Sequence, residues 1–510
     1  MLLTLVKGTT LSQSSSLPLT ASGPVPEARS TPEQIAARNR LVIGILIVSA
    51  FVVILNETIM SVALPTLMVD LNISAATAQW LTTGFLLTMA VVIPVTGYLM
   101  QRFPTRQIFL LAISLFSTGT LLAAIAPGFP VLLAARVNQA SGTAIMLPLL
   151  MTTVMTLVPA EQRGRTMGNI SIVIAVAPAI GPTLSGLILN ILSWRFMFIL
   201  VLPIALATLV IGALKMENVT EPKRVPLDVL SVVLSALAFG GLLYALSAVG
   251  EGSSSHEQAV SPLVPAVIGG IALVLFILRQ IQLARVSTPL LDLRTFRTPN
   301  FTFSIVLIAL ASLSLFGSLI VLPIYMQTVL GLNTLTTGLL LLPGGLAMGM
   351  LAPIVGRLYD RAGPRPLLPV GAVIISIALW TMATVLGTET PAYLIPVMHV
   401  LLFTGLAFTF TPLFSAGLGS LQPNLYSHGS AILNTVQQVM GGAGTALFVT
   451  LMAATAAGPL AAGASVPVAT AAGVHTAFMV GGLISLAGIV VSFFVRRPPA
   501  TEGAEPVMAH

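Results

Sequence analysis

One glutamate, Glu57, interrupts the apolar stretch "LVIGILIVSAFVVILNETIMSVALPTLMV" at residues 41–69. Of the fifteen Asp and Glu residues, it alone lies deep in such a run; Asp70, Asp228 and Asp292 stand at borders, Asp360 in a loop, and the rest in tails, loops or helix ends. A carboxyl in that setting can be kept neutral by burial or ionised by a nearby cation, which is what a proton carrier requires. The alternative is a neutral glutamate that satisfies a hydrogen bond between helices. Arg136 is the matching cation, in "RVNQASGTA". With Gln139 and Thr143 it occupies positions i, i+3 and i+7, one face of a helix. His399, inside "IPVMHVLLF", is a further titratable group, and a lone histidine of this kind is more often packed and hydrogen-bonded than a relay. The chain has no cysteine, so disulfides, thiol catalysis and Cys-ligated metals are unavailable. It also lacks a His-Glu-x-x-His motif and a phosphate-cradling Gly-x-x-x-x-Gly-Lys-Ser/Thr loop.

The elements that must carry these residues follow from composition. The 510 residues are 56% hydrophobic and 7% charged, against roughly 25% charged in a soluble domain. Apolar runs recur from Leu41 to Val495, each long enough for the roughly 20 residues that a membrane helix needs. They are continuous rather than alternating, which excludes a β-barrel. Fourteen spans are predicted, near 41–66, 78–100, 107–126, 130–156, 167–190, 196–214, 228–249, 262–283, 299–322, 335–357, 366–386, 391–416, 430–455 and 472–495. The net charge of +7 comes from residues scattered singly and in pairs between the runs, which reads as topology and not as a nucleic-acid surface. Arg38, Arg40, Arg102, Arg106, Arg163, Arg165, Lys215, Lys223, Arg224, Arg285, Arg294, Arg297, Arg361, Arg365, Arg496 and Arg497 fall on one face. The positive-inside rule makes that face, and both termini, cytoplasmic. Among the opposite connections only the turn at Trp194–Arg195 breaks the pattern. Residues 1–40 and 498–510 are expected to be cytoplasmic tails, the first of them disordered.

A repeat then appears. "GYLMQRFPTR" at 97–106 and "GRLYDRAGPR" at 356–365 share Gly, Leu, Arg and Arg in register. This relates spans 1–6 to spans 9–14 and predicts a six-helix half at 41–214, an inserted helix pair with linkers at 215–298, and a second half at 299–497. Basic loops by themselves mark topology alone.

With these motifs the chain resembles the major facilitator superfamily, in particular its fourteen-span drug:proton antiporters of the EmrB/QacA type, over residues 40–497. The "Asn-Glu-Thr-Ile" wording resembles the lincomycin-exporter branch. The resemblance implies an all-α major facilitator fold and gating loops at Gly97, Arg102, Arg106, Gly356, Asp360, Arg361 and Arg365. In the first-half loop Gln101 replaces the family's Asp and Pro104 its Gly, so that latch should be weaker or differently built. An Asp beside two arginines can form charge-assisted bonds and meet a neighbouring helix N-terminus. "RVNQASGTA" resembles the fourth-helix motif. "GNISIVIAVAPAIGPTLSG" resembles the antiporter motif of the fifth helix through Ala177, Gly181, Pro182, Ser185 and Gly186, a small-residue stripe that suits a hinge between halves. "LNETIMSVALP" resembles the first-helix motif, with Asn56 at the family's Asp position, Glu57 one residue on and Ser61 for its Asn.

The function implied is a proton-coupled exporter of lipophilic small molecules, cationic ones among them, by alternating access. Protons are the coupling ion, with no cofactor and no catalytic or metal site. Glu57 and Arg136 carry the coupling: Glu57 lies roughly 24 Å along span 1 and Arg136 roughly 9 Å from the outer end of span 4, so the two could meet. Arg136 could instead snorkel to the outer headgroups. Asn56, Gln139, Tyr325 and Asn434 are the expected polar lining of the substrate cavity. The expected partners are substrate and membrane lipid, with no nucleic acid and a monomeric chain. An importer or lipid exporter is the same-class alternative; an intramembrane lipid-modifying enzyme would need clustered acidic, His or Cys residues that the sequence lacks.

Overall fold

The computed structural model describes residues 32–219, 222, 226–250, 261–286 and 289–498. Of the expected tails at 1–40 and 498–510, residues 1–31 and 499–510 lie outside the described residues, as do the connection at 251–260, Lys223 and Arg224; residues 32–40, expected to be disordered, are helical because the backbone bonding of the first span continues back to Pro32. A buried backbone in lipid must satisfy its own hydrogen bonds, and this chain does so with helices only; no strand occurs among the described residues.

Six helices come first: α1 (Pro32–Asp70), α2 (Ala75–Arg102), α3 (Thr105–Ala124), α4 (Phe129–Leu157), α5 (Arg163–Ile191) and α6 (Arg195–Lys215). α7 consists of helical parts Val229–Ser235 and Gly241–Gly250 around a π-turn at Ala236–Gly240, and α8 is Leu263–Val286. Then follow α9 (Pro299–Thr328), α10 (Thr334–Ala362), α11 (Leu367–Val385), α12 (Leu394–Gly419), α13 (Tyr426–Ala461) and α14 (Val466–Ser492). All fourteen are long and apolar enough to cross a membrane. Several run past the apolar window: α1 starts at Pro32 where hydropathy predicts 41, and α13 at Tyr426 where it predicts 430. Hydropathy marks the hydrocarbon core, whereas backbone hydrogen bonding continues into the polar interface until a cap stops it. Ser74 accepts from the Thr77 amide and Asn333 from the Thr336 amide at the starts of α2 and α10. Gly363, at φ +77°, ends α10 in a conformation that side chains disfavour.

Among the described residues, Cα packing divides the chain after Arg40. Within the larger unit α3 packs on α4 and α6, and α2 on α4; α9 packs on α12, α13 and α14, and α12 on α10 and α11. The two sets meet where α5 runs against α10 and α2 against α13. The α5–α10 contact extends the length of both helices, with Gly356 over Gly164, Gly349 over Val176, Gly345 over Ala179 and Gly338 beside Thr183. A Cβ on Gly356 would enter the Gly164 backbone, so these helices can be this close only without one. α7 and α8 pack on each other, and α7 on α2 and α13; their other faces expose Leu230, Val233, Ile271, Val274 and Leu278. The inserted pair therefore lies along the α2–α13 seam.

The Arg195 exception to the charge pattern has a local cause. Its guanidinium is 3.6 Å from the Asp70 carboxylate and donates to the Ala126 carbonyl, while Trp194 Nε1 donates to Asp70 at 2.6 Å. The arginine is locally neutralised, so it weighs little in topology.

Candidate functional site

Two groups of side chains stand out: a charge site within α1 and α4, and a set of polar ties where the basic ends of the helices converge.

At the charge site Arg136 is 1% exposed. Its Nη1 donates to Gln139 Oε1 at 3.0 Å, its Nε to the Leu81 carbonyl at 3.4 Å, and its guanidinium lies 4.1 Å from the Phe85 ring centre. Gln139 in turn donates to Thr120 Oγ1 at 2.9 Å, and Thr143 to the Gln139 carbonyl. The i, i+3 spacing lets Gln139 hold the guanidinium, and the cation–π contact replaces part of its lost hydration. Glu57 and Arg136 are coupled electrostatically across the interior. Beside Glu57, Asn56 is 3% exposed, and its Nδ2 has no hydrogen-bond partner among the described residues. An unpaired buried amide costs about 1–3 kcal/mol, which a ligand or water would recover.

The four expected lining residues are not brought together. Asn56 and Gln139 belong to the charge site, but both ends of the Gln139 amide are taken by Arg136 and Thr120. Tyr325 is fully buried and donates to the Gly387 carbonyl at 2.6 Å; Asn434 donates to Ser430 on its own helix at 2.8 Å. His399 is 2% exposed, 4.3 Å from the Phe403 ring and packed on Gly344.

The fifth-helix stripe divides. The Ala177 carbonyl and Gly181 meet Thr58 of α1, while Ser185 donates to the Met197 sulfur of α6, and Gly186 has open space beside it. Pro182 lies within α5. The face of α5 turned to α10 carries Val176, Ala179 and Thr183 instead, and the small residues of that contact are glycines of α10. One residue along a helix rotates a side chain by about 100°, so a spacing of four aligns Ala177, Gly181 and Ser185 without saying which neighbour they face.

At the basic end, the Asp360 carboxylate accepts from the Gly164 amide at 2.7 Å and the Arg165 amide at 2.8 Å, capping the N-terminus of α5. The expectation of two arginine partners is corrected here: Arg361 and Arg365 are exposed, and Arg497 donates to the Asp360 backbone carbonyl. Arg361 points away because it is one residue on. Arg163 donates to the Met155 and Val158 carbonyls and lies over the Tyr426 ring. In the repeat-related position, Gln101 of α2 reaches the start of α13, where its Nε2 is 2.6 Å from His428 Nε2 and 3.4 Å from Ser427 Oγ. Gly97 lies against Ala431 and His428. Arg102 is half-buried, and Arg106 donates to the Ala213 carbonyl and, through its amide, to Asn218. Thr152–Ser430 at 2.7 Å and Thr411–Ser171 at 2.9 Å add two further ties between α1–α6 and α9–α14.

Sequence reasoning missed His428, because the predicted span began two residues later; its signal was the polar run "YSHGS" directly before that span. It also took Asp292 for an ordinary border residue. Asp292 is 2% exposed: burial pushes its carboxyl up, but the Arg294 bonds outweigh this and hold it below the usual carboxylate range. Asp228 is likewise held low, first by Arg279 at 3.1 Å, an ion pair between the start of α7 and α8.

The sequence family described as Major Facilitator Superfamily matches residues 46–445. The chain is 41% identical to the Bacillus subtilis "Uncharacterized MFS-type transporter YcnB" over 93% of this chain and 98% of that one. It is 39% identical to the "Lincomycin resistance protein LmrB" of Listeria monocytogenes, over 89% and 96% respectively. A "Multidrug resistance protein B homolog" of Mycobacterium tuberculosis is 28% identical over 86% and 80%. Among solved structures, the human organic anion transporter MFSD10 superposes with a TM-score of 0.63 at 14% identity, covering 89% of this chain and 99% of that one; at that identity it speaks to fold alone.

Proposed function

Since the chain belongs to the Major Facilitator Superfamily and is a multi-pass membrane transporter, not an enzyme, we propose that it is a proton-coupled exporter of lipophilic drugs. The basic end is its cytoplasmic side. The observation that carries this reading is Glu57, a carboxylate inside a membrane helix, electrostatically coupled to a buried arginine that is itself held by Gln139 and Phe85. Such a pair stores a proton in one conformation and releases it in another, because opening to water changes both the burial of the carboxyl and its distance from the cation. Drug and proton then use the same N-terminal half alternately, which is antiport. Export of drugs is supported by the lincomycin and multidrug resistance names of the relatives. Asn56, whose Nδ2 has no partner among the described residues, is a polar group free to meet substrate. The chain works as a monomer surrounded by lipid, in two six-helix halves with α7 and α8 inserted between them. The test is uptake of lincomycin and of lipophilic cations into everted vesicles with an imposed pH gradient. Uptake that follows the gradient supports the reading; uptake only in right-side-out vesicles would make the protein an importer.

The α5 cap gives a second test. Asp360→Asn replaces a charged acceptor of two amide hydrogens by a neutral group with one acceptor, a loss of about 1 kcal/mol at a helix N-terminus. The balance between closed and open basic ends then shifts roughly fivefold. Turnover in vesicles should fall by a similar factor with membrane insertion intact, and unchanged turnover would remove Asp360 from the gate.

A further inference from the structure

His428 stands in the first turn of α13, 5% exposed, at the seam with α2. The amide of Gln101 also donates to the Gly97 carbonyl at 3.3 Å. A carbonyl only accepts, so that contact turns the amide's NH2 group toward the imidazole Nε2, 2.6 Å away. The ring nitrogen must then be the acceptor, which requires a neutral imidazole with its hydrogen on Nδ1. Nδ1, buried beside Gly97, faces the Leu290 carbonyl, an acceptor that suits a hydrogen on that nitrogen.

The charges that act on the ring are Asp292 and Arg294, both from the segment that follows α8. α2 presents the uncharged Gln101 and Gly97, and on the α4–α5 side Arg163 lies over Tyr426. That segment is itself anchored: the amides of Leu290 and Leu291 donate to Gln280 Oε1 of α8 at 2.8 and 3.2 Å, and Gln280 donates to Ser231 of α7. The inserted pair thus holds a buried apolar strip, Leu290–Leu291, and a paired carboxylate against the His428 seam.

We propose that His428 is a positioning residue for the transport cycle, tying α2 to α13 through Gln101 while its ring is neutral and releasing the seam when the ring takes a proton. A proton on Nε2 sets two donors against each other at hydrogen-bond distance, in a site too dry for an imidazolium. Separation of α2 from α13 admits water, hydrates the cation and removes the clash. The closed, dry, neutral state and the open, wet, protonated state therefore exclude each other's protonation. This rests on the reading of the basic end as a gate, and it adds a second proton-responsive group far along the sequence from Glu57.

Because the chain has no cysteine, spin labels at Phe103→Cys and Asn424→Cys, both exposed sites flanking the seam, report its width in the full-length protein in liposomes without drug or gradient. In the wild type the long-distance population should grow as pH falls from 8 to 5.5, at most about tenfold per pH unit for one linked proton. His428→Gln keeps a neutral polar group that cannot titrate in this range, and should flatten that response while the protein still inserts. Gln101→Leu, with the histidine intact, should open the seam already at pH 8. A pH-independent wild type, or a response equal in His428→Gln and wild type, overturns the proposal. So does a response lost in Glu57→Gln and kept in His428→Gln. Transport by Glu57→Gln is read separately and decides the coupling role of Glu57 alone.

Discussion

Glu57→Gln should abolish accumulation of drug against a gradient while leaving a folded, inserted protein. Glutamine keeps the size and most of the hydrogen bonding of the glutamate but carries no exchangeable charge. Arg136 does not depend on Glu57 for its place, since Gln139, the Leu81 carbonyl and the Phe85 ring hold it. With one proton exchanged per drug, a gradient of 2 pH units supplies about 2.7 kcal/mol and sustains up to roughly 100-fold accumulation. In the variant that factor should fall to about one, with binding of neutral drugs retained. Everted vesicles loaded with a pH gradient measure it directly. Wild-type accumulation by Glu57→Gln would make the residue structural and send the search for the coupling group to His399.

Locking the α2–α13 seam should stop transport as completely, by a different route. A Cβ built on Gly97 stands 3.5 Å from the Ala431 Cβ, within the range that a disulfide spans. The neighbouring His428 Nδ1 and Leu290 carbonyl are at 3.5 and 3.6 Å, ordinary contact distances, so the side chain fits. In a chain without native cysteine, the Gly97→Cys, Ala431→Cys pair is the only one that can close. Oxidation should lower turnover at least tenfold and reduction should restore it, the reduced protein serving as its own control. A fully cross-linked protein that transports at the reduced rate would show that these helices never part during the cycle.

The ties at the basic end run both ways between the two sets of helices. Asp360 at the end of α10 caps α5, and Gln101 at the end of α2 reaches the start of α13, so each tie joins one of α1–α6 to one of α9–α14. The partners differ in kind: a carboxylate on backbone amides at one seam, an amide on an imidazole at the other. The first joins a side chain to main chain, whereas the second joins two side chains, one of them a titratable ring.

Much of this was written in one dimension. The bilayer tolerates only long apolar helices, so fourteen spans and the isolation of Glu57 and Arg136 within them follow from composition and spacing alone. The match between "GYLMQRFPTR" and "GRLYDRAGPR" is visible without coordinates. Partner choice was not legible. The fold engages both ends of the Gln139 amide with Arg136 and Thr120 and sets the Tyr325 hydroxyl on Gly387, partners that no spacing in the sequence announces. Ala177, Gly181 and Ser185 share a stripe by spacing, yet tertiary structure sends two to α1 and one to α6. Asp360 pairs with amides 195 and 196 residues away and not with the adjacent arginines. Periodicity fixes which residues share a face of a helix; which helix lies opposite that face is decided by packing between distant segments, and the buried polar groups then bond to whatever that packing brings within reach.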